Sequence, residues 1–135
     1  MALMSVEYIG DLHCQATHES SDAQIGTDAP KDNQGKGEDF SPTDLVGVAL
    51  ATCIATVLGI YAQRVGWDLK GMRLNVQKEM RISPFRAIAS LALEIWVPIV
   101  LSEEEKAKFE LIAHTCPVHK SLHPDIAVPM IFHWK

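Results

Sequence analysis

No arginine precedes Arg64, and nowhere in the 135 residues do lysines and arginines gather into a cluster. With a formal net charge of -5 and a pI near 5.6, the chain has no basic face for nucleic acid and none for an anionic membrane surface. Cysteine is scarce too: Cys14, Cys53 and Cys116 are an odd number at unequal spacings, which argues against a disulfide framework. The opening MALMSVEYIGDLHCQ has no basic start followed by a long apolar run, so it does not read as a secretory signal. A cytoplasmic protein with reduced thiols is the expectation. There is no Gly-x-Ser-x-Gly, no paired-carboxylate pattern and no phosphate-binding loop; NQGKGED at 33–39 lacks the following Ser or Thr.

Charge is missing from one long stretch as well. Between Asp44 and Arg64 no side chain carries any, and Leu45–Ala62 reaches the minimum length for a membrane-spanning helix. Its glycines and threonines make it only modestly hydrophobic, which favours a buried helix of a soluble protein. Ser41 suits the N-cap, Pro42 the first helical position and Asp44 the positive first turn, while Gly66 supplies a stop. Such a helix is about 36 Å long. Being apolar on every side, it needs cover on every side, and a single domain spanning 1–135 is short of material to provide it. Dimerisation follows as an expectation.

Around this helix the pattern reads as strands and a second helix. Residues 3–17 suggest one strand and Ala23–Thr27 another, followed by a Gly-, Asp- and Pro-rich loop over 28–42. Met72, Leu74, Val76, Met80 and Ile82 share one parity, with Lys78 the exception; a turn at 83–87 leads to Leu91, Leu93, Ile95 and Val97. That is a hairpin. Ser102 with Glu105 predicts a capping box opening a helix that ends near Cys116-Pro117, where a short helix to Leu122 follows. Ile126, Val128, Met130 and Phe132 alternate as a last strand, which Pro129 places at an edge. The class is α+β.

Two cysteines carry the chemical interest. Cys116 precedes Pro117 at a helix start, where free N–H groups and the dipole favour thiolate, and His114 and His119 are near in sequence. A buried, inert cysteine is the competing reading. Cys53, mid-helix and far from either dipole end, is inert unless tertiary structure brings donors to it. Cys116 with His114, His119 and His123 matches no zinc spacing, so no metal is expected, nor any other cofactor.

Taken together, GKGEDFSPTDLVGVALATCIATVL and HTCPVHKSL resemble the OsmC/Ohr family, the osmotically inducible and organic-hydroperoxide-resistance proteins, in a divergent branch. The resemblance implies an OsmC-like fold: a long central buried helix with antiparallel sheets wrapped around it in an intertwined homodimer. It implies that Cys53 is the peroxidatic nucleophile and Cys116 the resolving thiol in a pocket at the dimer interface. The implied substrate is a small organic hydroperoxide, the implied reductant an external dithiol such as a lipoyl group, and the setting oxidative stress defence. The sequence departs from the family pattern where a glutamate and an arginine activate the nucleophile. The glutamate position holds Thr43, with Asp44 next, and the arginine is absent. Lys36, Lys31 or His18 are the substitute cations on offer and Glu38 the substitute carboxylate; an ammonium does not reproduce a guanidinium fork. His119 is a further pocket candidate. The alternative is a non-catalytic or redox-sensing member that binds a small apolar ligand in that pocket. Cys14 matches no family position and reads as a structural or incidental thiol.

Overall fold

The computed structural model describes residues 1–135, which divide into two compact units, Met1–Val46 and Gly47–Lys135. In the first, β1 (Met4–Gly10), β2 (His13–His18) and β3 (Gln24–Asp28) form an antiparallel sheet in the order β1-β2-β3. The single strand expected over 3–17 is thus a hairpin. Its turn residues Asp11 and Leu12 have φ of 54° and 61°, the positive values a two-residue hairpin loop requires. Leucine is a poor residue for that conformation, so the turn has no sequence signature; tertiary hydrogen bonds hold it, including Ala29 N–H to the Leu12 carbonyl at 3.1 Å.

The segment after β3 is irregular apart from one 3₁₀ turn at Lys31–Asn33. It folds tightly on itself: a Cβ on Gly35 would lie 1.6 Å from the Ala29 carbonyl oxygen, so only glycine fits there. The helix α1 (Pro42–Val65) then begins as the capping residues dictate. Ser41 Oγ accepts from Asp44 N–H at 3.1 Å, and the Asp44 carboxylate accepts from Ser41 N–H at 2.9 Å. The two donors are satisfied reciprocally, as in a capping box.

In the second unit the buried positions of α1 are Gly47, Leu50, Ile54, Leu58 and Ala62, a single face at helical spacing. At Gly47 a Cβ would meet Val76 and Leu91 at 3.5 Å, so the helix packs on strands there. These strands are β4 (Arg73–Arg81) and β5 (Ala87–Trp96), the antiparallel hairpin expected from the alternation. Leu91, Leu93 and Ile95 of β5 are fully buried, and each such side chain contributes about 1.5–3 kcal/mol. A bulge shifts the register after Glu79↔Ser90 to Met80↔Ile88, and the Ala89 carbonyl accepts from Ala127 N–H at 3.0 Å.

The last strand, β6 (Met130–His133), is shorter than the alternation suggested and lies at the sheet edge, order β4-β5-β6. It pairs with β5 in parallel, so this sheet is mixed rather than wholly antiparallel. Pro129 stands just ahead of it, with its carbonyl accepting from Leu93 N–H at 2.9 Å. Helices α2 (Glu103–Ala113) and α3 (Pro117–Ser121) precede it. Phe109 of α2 is fully buried, with Trp67, Phe132 and Trp134 around its ring at centroid distances of 6.4, 6.1 and 5.6 Å.

α1 is long and apolar enough to cross a membrane by composition alone. Its other face, Ala49, Thr52, Thr56 and Ile60, is exposed in the single chain. The threonine hydroxyls turn back onto the helix, Thr52 to the Val48 carbonyl and Thr56 to the Thr52 carbonyl, each at 2.8 Å. What the stripe presents outward is therefore mostly methyl groups. Residue by residue, the α2 capping box is complete: Glu105 N–H donates to Ser102 Oγ at 3.1 Å and Ser102 N–H to the Glu105 carboxylate at 2.9 Å. Ser102→Ala is expected to lower unfolding stability by about 1 kcal/mol and Phe109→Ala by about 3–5 kcal/mol. Urea unfolding followed by tryptophan fluorescence and circular dichroism measures both.

Candidate functional site: a buried cysteine pair

Cys53 lies on α1 one position before the buried Ile54, and is itself half-buried. Cys116 is the N-cap of α3, with Pro117 at the first helical position, and is fully buried. The fold makes them neighbours: Cys53 is among the groups that act on the Cys116 thiol. Both are free thiols. His119 joins them through its backbone, its N–H donating to Cys116 Sγ at 3.4 Å. Its imidazole Nδ1 is buried without a hydrogen-bond partner, and its ring centroid lies 6.0 Å from that of His114.

The expectation of an acidic Cys116 is reversed. Burial is the largest influence and pushes its pKa above the ordinary thiol value of 9.0. Neighbouring Cys53 raises it further, by hydrogen bonding and by charge, while the backbone N–H groups of His119 and Val118 act in the opposite direction. A helix of only five residues offers a weak dipole, and desolvation of a thiolate outweighs it. Cys116 therefore holds its proton near neutral pH.

The remaining candidates are arranged differently. Lys36 and Glu38 line a hollow of about 290 Å³ in the first unit, together with His13, Asp28 and Asp39. Glu38 contributes its backbone N–H to the Asp28 carboxylate at 3.0 Å. Thr43 Oγ1 lies 3.2 Å from Ser41 Oγ, and Asp44 serves as the capping carboxylate of α1. His18 Nδ1 pairs with Ser21 Oγ at 2.6 Å. Cys14 sits on β2 between Tyr8 and Thr27 in register, half-buried. The His13–Asp28 pair, with Nδ1 to Oδ1 at 2.7 Å, carried no local sequence signal, because the two residues meet only through strand register.

A mixed α+β fold with a thiol inside its longest helix, against a second thiol at a helix junction, defines a class of paired-cysteine protein. The profile of the OsmC-like protein family matches residues 35–130. A protein of Psychrobacter arcticus 273-4 described as an osmotic stress induced and detoxification response protein is 43% identical, superposes with a TM-score of 0.93, and is matched over 98% of this chain and 96% of its own. The chain belongs to the OsmC-like family. Its fold is shared by the organic hydroperoxide resistance protein OsmC of Legionella pneumophila, at a TM-score of 0.78 and 14% identity over 98% of this chain and 96% of that one. The organic hydroperoxide resistance protein OhrB of Bacillus subtilis superposes at 0.72 with 16% identity, covering 98% of each chain. No curated protein matches the sequence.

The pair's geometry fixes an order of reactivity. In the reduced protein at pH 8, limiting iodoacetamide is expected to label Cys53 well before Cys116, read by peptide mass mapping. Because the folded Cys116 pKa is raised, its stabilising contribution is complete below the unfolded thiol pKa and is lost as pH climbs through the folded one. Parent protein is expected to lose stability above about pH 8.5 more steeply than Cys116→Ala.

Proposed function

We propose that this protein is a thiol-dependent peroxidase that reduces organic hydroperoxides through a Cys53 sulfenate and a Cys53–Cys116 disulfide. The observation that supports this reading is the fully buried Cys116, held protonated by burial and acted on by the neighbouring Cys53 of the long helix. In the first step the Cys53 thiolate attacks the peroxide; the O–O bond breaks, Cys53 becomes a sulfenic acid and an alkoxide leaves. Cys116, still carrying its proton, supplies it to the alkoxide and becomes a thiolate at the moment one is needed. That thiolate attacks the Cys53 sulfur, releases hydroxide, which leaves as water, and closes the disulfide. The net change is one hydroperoxide and two thiols to one alcohol, one water and one disulfide. An external dithiol, a lipoyl group among the possibilities, returns both thiols by exchange.

Apolar surroundings select the substrate. Ala49, Thr52 and Thr56, exposed on the helix that carries Cys53, present mostly methyl groups, and an alkyl or aryl hydroperoxide gains by leaving water beside them. The pocket is completed by a second copy in an intertwined homodimer, the partner that would cover the exposed stripe of α1 and the exposed Met4, Val6, Tyr8 and Ile25 of the first sheet. The setting is the cytoplasm, where the thiols stay reduced. A second reading, a redox-sensing or non-catalytic member binding a small apolar ligand at the same place, is favoured by the lack of any arginine before Arg64.

Intact-mass analysis after one equivalent of cumene hydroperoxide separates the two. Peroxidase activity gives rapid loss of two hydrogens in the parent protein, a trapped sulfenic acid in Cys116→Ser and no reaction in Cys53→Ser. Turnover retained in Cys53→Ser would refute its role as nucleophile, and no oxidation within minutes would favour the ligand-binding reading. Sedimentation is expected to give twice the 14.9 kDa chain mass; a stable monomer would remove the interface pocket.

A further inference from the structure

The first unit holds a second constellation that the thiol chemistry does not use. Asp28 is buried, and its carboxylate is fully engaged: Oδ1 with His13 Nδ1 at 2.7 Å, Oδ2 accepting from the Glu38 and Asp39 N–H groups at 3.0 and 3.1 Å. The His13 hydrogen bond is the main reason that the Asp28 carboxyl sits below its usual pKa. An imidazole that donates Nδ1–H to a carboxylate carries its lone pair on Nε2. Only glycine fits at position 26 beside this edge of the ring: a Cβ there would stand 3.2 Å from His13 Cε1, 3.5 Å from His13 Nε2 and 2.8 Å from Asp39 Oδ2, so ring edge and carboxylate border the same spot. The ligand-capable atoms of His13, Asp28 and Asp39 lie within 4.8 Å of one another, at the hollow that Glu38, Asp11 and Lys36 also line.

We propose that His13 and Asp39 bind a divalent cation of the zinc, cobalt or nickel kind, with Asp28 as the positioning residue that fixes the imidazole. The donor set decides the cation class. One imidazole nitrogen with a carboxylate suits borderline transition ions, whereas calcium and magnesium prefer oxygen throughout. Carboxylate, histidine and metal in a row is the usual way a ligating ring is oriented. Two ligands on one such ion stand about 3–4 Å apart, and the Asp39 carboxylate is exposed and borders the same spot as the His13 ring. Water fills the other positions, so binding is weaker than at a closed structural site. Lys36 is the opposing charge on the pocket wall, and removing it favours the cation.

The test is a Co²⁺ titration of the full-length Cys53→Ser/Cys116→Ser variant, followed by visible absorption. Saturable binding of one equivalent is expected, with d–d bands and no sulfur-to-cobalt charge transfer. Asp39→Asn and His13→Asn are each expected to weaken it at least about tenfold, Asp28→Asn to a similar degree, and Lys36→Ala to tighten it. Asp39 is exposed, so Asp39→Asn keeps the fold, checked by an unchanged thermal melt. Non-saturating binding, a thiolate band, or an affinity unchanged in Asp39→Asn would overturn the proposal and leave His13 as the hydrogen-bond partner of Asp28 alone. Because both site cysteines are absent from the titrated protein, the result is independent of the peroxidase reading.

Discussion

A helix of 24 residues with no charge between Asp44 and Arg64 is the constraint on which the rest depends. Water on any of its faces is costly, yet one chain supplies cover for one face only. Gly47, Leu50, Ile54, Leu58 and Ala62 are hidden, and the opposite stripe has its hydroxyls folded inward as though for contact with something apolar. The same constraint places Cys53. Being next to the hidden face rather than on it, that residue is neither sealed away nor fully wet, the intermediate exposure a nucleophile needs.

The second thiol illustrates how two local rules can compete. Position at a helix start and proximity to N–H donors both favour an ionised sulfur, and the structure does supply those donors. Complete burial opposes them and prevails, because moving a charge out of water costs more than a short helix returns. The result is an unequal pair, and the proposed cycle uses the inequality: one member to attack, one to carry a proton until it is called for.

Much of this was legible before any coordinates. The span of α1, its cap at Ser41, the β4–β5 hairpin, the α2 capping box and the edge position of the last strand all follow from local spacing and cap chemistry. What escaped was set by distant partners. The Asp11–Leu12 turn depends on hydrogen bonds from the following loop; the parallel pairing of β6 depends on where α2 and α3 return the chain; the His13–Asp28 pair depends on strand register. The two cysteines were legible only through their paired contexts, since neither had local features that separated a reactive thiol from an inert one. Lys36, Glu38, Thr43 and Asp44 were legible as polar groups near a helix start, but the competition among caps, carboxylates and pocket walls that assigns their work is three-dimensional.

The N–H of His119 points at Cys116 sulfur from 3.4 Å. That amide is a messenger within the fold. A thiol, a thiolate and a disulfide sulfur differ in how much electron density they offer a donor, and the proton on this nitrogen registers each as a different magnetic environment. Any change at the sulfur is thereby written into the backbone one turn of helix away, where it can be read without a label, a dye or an altered side chain.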